Sequence, residues 1–318
     1  MSGSCMFGNC MFGNCMFDRC MFGNCMFGSY VFEHYIHPRF KKGAAMKRRN
    51  PLLSGPYLFW TVAFIIIPLL MIAYYGLTDS TGAFTWSNVA QMGTPERVKA
   101  LVLSLILSLI ATAICLIMAY PLALILTNMK IGATGFIVTI FIIPMWMNSL
   151  LRILAWQTLL ERNGVINQIL TFLHLPKQHL INTPYAIALG MIYDFLPFML
   201  LPIYNALEKI DPNVVNAAYD LGANRFQTFW KVIFPLTIPG VISGITMVFV
   251  PALTTFVISD FLGGSKVLLI GNVIERQFTQ VGNWNAGGGM SLVLMIFILI
   301  SMAVMQHYDK DAGEGIVL

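Results

Sequence analysis

The sequence predicts an all-α, polytopic membrane protein with six transmembrane helices. Composition is the first reason: of 318 residues, 57% are hydrophobic and 10% charged, whereas a soluble domain carries about 25% charged residues. A soluble fold of this length has nowhere to bury so much apolar surface, and a bilayer accepts it. The second reason is length. Beyond Met46 the apolar residues fall into six runs, each close to the roughly 20 residues that cross the hydrocarbon core as a helix. The third is charge placement: Lys and Arg gather at the edges of those runs, and the net charge of +5 forms no basic face with interleaved aromatics. That arrangement fits membrane topology and excludes nucleic acid as a partner.

Residues 1–45 differ in character from the rest. A five-residue repeat, roughly Cys-Met-Phe-Gly-Asn, places Cys5, Cys10, Cys15, Cys20 and Cys25 at even intervals, and His34, His37, Arg39, Lys41 and Lys42 follow. Disulfide frameworks have irregular spacings fitted to a fold, so the repeat does not read as one. Thiolates and two imidazoles are metal-ligand types, yet the low complexity equally fits an extension with no packed core. We read 1–45 as such an extension, or as a translation start placed too far upstream, and assign no metal site or cofactor. It lacks the continuous apolar core of a cleavable signal peptide. Met46-Lys47-Arg48-Arg49 then opens the apolar domain over 46–318. The sixth cysteine, Cys115, lies inside an apolar run and reads as a packing residue.

The six runs extend from about Pro56 to Tyr75, Leu101 to Thr127, Gly135 to Leu154, Pro184 to Ala206, Pro239 to Phe261 and Gly289 to Gln306. Pro121 in the second is tolerable as a kink covered by a neighbouring helix. With the amino terminus inside, the inner segments hold twelve Lys and Arg against seven in the outer ones. The positive-inside rule favours that orientation and puts both termini in the cytoplasm, with lipid around the bundle.

The connection between the fourth and fifth runs, about 207–238, is the most informative stretch. Asp211 followed by Pro212 is a helix start, a capping carboxylate and then proline at the first helical position. Gly222 is placed to end that helix in the left-handed conformation. Asn224 caps a second short helix expected to stop at Pro235. Two short helices joined by a glycine turn should therefore lie at the membrane surface.

Asn216-Ala217-Ala218, three further residues, Gly222 and then Phe234-Pro235 resemble the Glu-Ala-Ala…Gly motif of ABC importer permeases. In that family the element docks into a cytoplasmic ATPase, small alanines permitting close approach and the glycine turning the chain. Here Asn216 stands where the family usually has Glu, which puts an acidic contact there in doubt. Pro144 to Arg152 with Ala155-Trp156, and Ser259 to Gly264 with Leu269 to Asn272, bring the resemblance closest to the B-type permeases of spermidine/putrescine importers. The resemblance implies a bacterial inner-membrane location. It also implies a second permease subunit in a heterodimer, separate ATPase subunits and a periplasmic substrate-binding protein. The tail after His307 departs from the basic tail of that family.

ATP hydrolysis needs a glycine-rich loop ending in Gly-Lys-Ser/Thr, and Gly-Lys occurs nowhere in the chain. With no other catalytic constellation, the chain reads as a transport subunit rather than an enzyme. Intramembrane acids mark transport pathways because an unpaired carboxylate in hydrocarbon is costly. Asp194, beside Tyr193 in the fourth run, and Asp260, at the outer end of the fifth, are the two. Both suit a polycation, and Trp146, Tyr193 and Trp284 can add cation–π attraction. Each has a plainer role as well: Asp260 as a helix-end cap, and Trp146 and Trp284 as interfacial anchors. Arg152 and Trp156 follow the third run, where an arginine can form a gate or simply snorkel. Competing readings are a permease for another solute (an amino acid, sulfate or ferric ion) and a passive channel, which would need no docking helix.

Overall fold

The structure, a computed structural model, describes residues 55–79, 81–128, 143 and 145–314. The 1–45 extension, the Met46 start and residues 135–142 and 144 of the third predicted span lie outside that set. The regular elements among the described residues are helical, with one isolated bridge between Thr78 and Phe84. Contacts divide the chain into residues 1–60 and 61–318. Of the first unit only the start of helix α1 is described, and the remaining elements belong to the second.

Among the described residues, five helices are long and apolar enough to span a bilayer: α1 (Gly55–Leu77), α3 (Pro95–Asn128), α6 (Pro184–Glu208), α8 (Arg225–Thr254) and α10 (Trp284–Glu314). Shorter helices connect them: α2 (Ser87–Ala90), α4 (Ser149–Leu160), α5 (Val165–Phe172), α7 (Pro212–Asp220) and α9 (Ile270–Thr279). The core is the packing of α3 and α8 on α6, while α10 packs on α1 and α8. Lipid offers no hydrophobic drive for helices to associate, so close van der Waals fit has to supply it. On α3 the fully buried Ala111, Cys115, Ala119 and Ala123 recur every four residues and form a narrow stripe. On α6 the larger Ile187, Met191, Met199 and Ile203 keep the same period and are equally buried. Small against large at matching spacing lets the two helices interlock. Cys115 is a free, buried thiol, in keeping with a packing role. The Tyr120 hydroxyl lies 2.8 Å from Thr237 Oγ1, joining α3 to α8 inside this core.

Three boundaries differ from the sequence reading. The helix after Asn224 does not stop at Pro235 but runs to Thr254, because a π turn at Phe229–Ile233 precedes the proline. An i→i+5 turn widens the backbone where proline would clash and lacks an N–H to donate. The fifth span in turn ends at Thr254 rather than Phe261, since Thr255 is extended (ψ 134°). The apolar run continues beyond it because Ile258 and Leu262 enter the core, each at most 2% exposed. The third predicted span is also interrupted: Met147 bends, and Asn148 caps a new helix by accepting from the Leu150 N–H at 2.8 Å.

At the contact between α1 and α10, Gly76 faces Gly288. A Cβ on Gly288 would stand 2.8 Å from the Gly76 nitrogen, and one on Gly76 would stand 2.9 Å from the Gly288 carbonyl. Backbone cannot swing aside as a side chain can, so Gly288→Leu must push the helices apart. Overpacking of this kind costs about 1–3 kcal/mol. The thermal midpoint of the detergent-solubilised protein should fall by several degrees. It should hold for Gly93→Ala, where a Cβ meets nothing within 4 Å.

Candidate functional site

The residues singled out by sequence fall into three places. The first is α7 with its flanking turns. Asp211 Oδ1 accepts from the Asn213 N–H at 2.9 Å, and Pro212 occupies the first helical turn. Gly222 adopts φ +82°. Its N–H donates to the Tyr219 carbonyl at 2.9 Å and the Ala223 N–H to the Ala218 carbonyl at 3.0 Å. Those two bonds close the helix in a Schellman turn that a side chain at Gly222 would strain. Asn224 and Gln227 form a reciprocal capping box at the start of α8. The helix therefore has fixed ends, yet none of its residues is buried. Asn216 and Ala217 are exposed, as are Val214, Tyr219, Leu221 and Phe226. The element has fixed ends, is partly apolar and, among the described residues, packs chiefly against the first turns of α8.

The second place joins α4 to α6. Arg152 Nη2 stands 2.8 Å from Asp194 Oδ1, with side chains 8% and 13% exposed. Asp194 is thus not the unpaired carboxylate that its position in the span suggested, and Arg152 turns inward rather than snorkelling to water. The contact is an ion pair without an aligned hydrogen bond, and Arg152 Nε and Nη1 are buried with no hydrogen-bond partner among the described residues. Such a pair gives little net stability, while removing one member leaves a buried charge and costs about 3–5 kcal/mol. One turn along α4, Trp156 meets Tyr193 edge-on, with ring centroids 5.4 Å apart. The aromatic and ionic pairs lie side by side because Arg152 and Trp156 are four residues apart on one helix face.

The third place is the segment after α8. Asp260 sits in a π turn at Ser259–Gly263, half buried, and forms no ion pair among the described residues. Its Oδ1 accepts from Asn272 Nδ2 at 2.6 Å. Glu275 and Arg276 on α9 are close enough to act on it electrostatically. Glu275 also accepts from the Thr279 hydroxyl at 2.7 Å. Beside it a cleft of about 480 Å³ opens between the end of α8, α9 and α10, with Phe256, Ile274, Glu275, Phe278, Leu294 and Ile298 among its lining residues. Trp284 packs on Phe278 at 5.4 Å, so it belongs to the rim of this region. Trp146 is 60% exposed.

Sequence reasoning missed Asn272 as a site residue. A lone asparagine in an amphipathic segment gives no sign that it is fully buried and bonded to a carboxylate twelve residues earlier. Arg152 was noticed, but its partner lies 42 residues away on another helix.

Known proteins match this architecture. The family model described as "Binding-protein-dependent transport system inner membrane component" matches residues 43–312. The spermidine/putrescine transport system permease protein PotB of Haemophilus influenzae is 37% identical over 267 residues, covering 81% of this chain and 93% of that one. PotB of Escherichia coli K12 is also 37% identical, over 97% of its length. Among solved structures, a chain of a bacterial alginate ABC transporter in complex with a pentasaccharide-bound periplasmic protein superposes with a TM-score of 0.66. It shares 18% identity and covers 80% of this chain and 92% of its own. A second alginate importer structure gives 0.67 at 17% identity. The helical scaffold, the match over most of the chain and the shared fold establish that this protein belongs to the binding-protein-dependent transport system inner membrane components.

Proposed function

We propose that the chain is one permease half of a polyamine ABC importer, working with a second permease, cytoplasmic ATPase subunits and a periplasmic binding protein. The observation that carries the reading is the 37% identity to PotB over four-fifths of the chain. On this reading residues 46–318 are the permease domain, both termini face the cytoplasm of a bacterial inner membrane, and 1–45 is an appended extension.

Two features support the division of labour. Helix α7 has fixed ends and an exposed face carrying Asn216, Ala217, Val214 and Tyr219, which suits docking into a cleft on an ATPase. Asn216 makes that contact a neutral one. Asp260 has no ion-pair partner among the described residues, Glu275 and Arg276 act on it electrostatically, and Phe256 and Phe278 line the cleft beside Glu275. A diamine or triamine needs carboxylates for its ammonium groups and apolar or aromatic surface for its methylenes. Asp194 is already neutralised by Arg152, so it contributes structure more than attraction. Alternating access then moves the cargo as ATPase closure is transmitted from α7 into α6 and α8.

Uptake of radiolabelled spermidine and putrescine by the assembled importer in proteoliposomes tests the assignment. Asp260→Asn should raise the KM about tenfold, a loss of about 1.4 kcal/mol of binding, with the complex still assembling. Transport of a different solute in place of polyamines would keep the permease class and overturn the substrate.

Gly222→Trp should abolish ATP-driven uptake, because an L-residue at φ +82° is strained by about 1–2 kcal/mol and the indole blocks the docking face. Uptake that persists in this variant, or without ATPase, would overturn the coupling role of α7.

A further inference from the structure

We infer that Asn272 is a positioning residue for cation transfer, holding one oxygen of Asp260 in place so that the other is presented to the cargo. This rests on the reading of Asp260 as a pathway residue.

Asn272 lies in the first turn of α9 and is fully buried, next to the equally buried Leu269 and Ile270. A buried amide is costly unless its polar atoms are bonded, and here they are. Nδ2 donates to the Phe256 carbonyl at 3.0 Å and to Asp260 Oδ1 at 2.6 Å, while Oδ1 accepts from the Leu269 N–H at 3.1 Å. Flipping the amide would set its oxygen against two acceptors, so the orientation is fixed by the network. Three anchor points define the plane of the amide and therefore where Asp260 Oδ1 must lie.

The turn bearing Asp260 is held as firmly. Ser259 Oγ donates to the Val267 carbonyl at 3.0 Å, and the Asn182 N–H at the head of α6 donates to the Leu262 carbonyl at 2.8 Å. The carboxylate is thus the half-buried tip of an otherwise closed network. A purely structural capping role at position 272 needs only an acceptor for the Leu269 N–H, as at the third position of a capping box. The donor to a carboxylate is the additional feature, and its short length marks a charge-assisted bond. One such bond leaves the net charge of Asp260 in place for the cargo to neutralise. Glu275 and Arg276 are the other charged groups acting on it.

The test compares spermidine uptake kinetics and assembly of the complete importer for Asp260→Asn, Asn272→Asp and the double exchange of both. Asn272→Asp keeps the acceptor for Leu269 but sets two carboxylates together, and uptake efficiency should fall at least tenfold. The exchange restores an amide–carboxylate bond with its polarity reversed and moves the charge to the buried position. Assembly and thermal midpoint should then recover part of what Asn272→Asp alone loses, the Phe256 carbonyl still lacking its donor, while the spermidine KM stays about tenfold raised, as in Asp260→Asn alone. Normal uptake kinetics in the exchanged protein, or in Asn272→Asp, would overturn the inference. If Asn272→Asp does not assemble, Asn272→Ser replaces it in a cycle with Asp260→Asn. No further change in KM is expected when serine is added to the Asp260→Asn background, and an additive increase would show that Asn272 acts independently of Asp260. An unaltered KM in Asp260→Asn itself would instead remove the pathway reading on which the inference stands.

Discussion

The close approach of α3 and α8 to α6 is the constraint on which the rest of the structure depends. In lipid, two helices stay together only if their surfaces fit, and here the fit comes from Ala111, Cys115, Ala119 and Ala123 on one side and Gly240 and Gly244 on the other. A Cβ at Gly240 would come within 2.7 Å of the Pro202 carbonyl, and one at Gly244 within 2.8 Å of the Met199 sulfur. These contacts set the position of α6, and α6 sets almost everything else. Its middle places Asp194 opposite Arg152. Its first residues meet the turn that carries Asp260. Its last residues lead directly into α7.

The ends of the bundle solve a different problem, since backbone that leaves a helix near the bilayer must still find partners. Asparagine side chains meet much of that need. Asn88 Nδ2 donates to the Thr78 carbonyl at 2.8 Å, and Asn285 donates to the carbonyls of Tyr75 and Thr78, closing the end of α1. Asn167 exchanges two bonds with the backbone of Gln178 at 3.0 and 2.9 Å. Asn272 belongs to the same class, with one difference: among these four it alone spends a donor on a carboxylate. The Ser104 hydroxyl accepts from the Ile270 N–H at 2.8 Å, tying the same segment to α3. The end of the bundle where α1 and α8 stop is therefore stiff, and α6, a helix of 25 residues, runs about 37 Å from it toward α7.

Much of this was legible in the sequence, wherever the signal is local. The ends of α7 follow from Asp211-Pro212 and Gly222, because caps and left-handed turns depend on a few neighbouring residues. Hydropathy located the described spans for the same reason: an apolar run reports its own burial. It could not report where a helix stops when the chain beyond is buried too, as at Thr254. Nor could it foresee the π turn before Pro235, where packing of Phe229 and Phe234 on Tyr120 keeps the helix going. The Arg152–Asp194 pair and the Asn272–Asp260 bond both join separate elements, and no local pattern encodes either.

The two membrane acids were equivalent by sequence and are opposite in the structure. A charge at the bilayer must be compensated by something. For Asp194 the compensation is internal, a guanidinium at 2.8 Å, and a cation approaching it would also meet the repulsion of Arg152. For Asp260 the hydrogen-bond partner is one amide, which orients the carboxylate, and Glu275 and Arg276 act on it with opposite charges. On the polyamine reading that asymmetry separates the acid paired inside the bundle from the acid that is left for cargo. It also gives direction to coupling: α6 carries the neutral pair at its centre, touches the Asp260 turn at one end and continues into α7 at the other. On that reading, displacement of α7 has a continuous helix along which to reach the turn that carries Asp260.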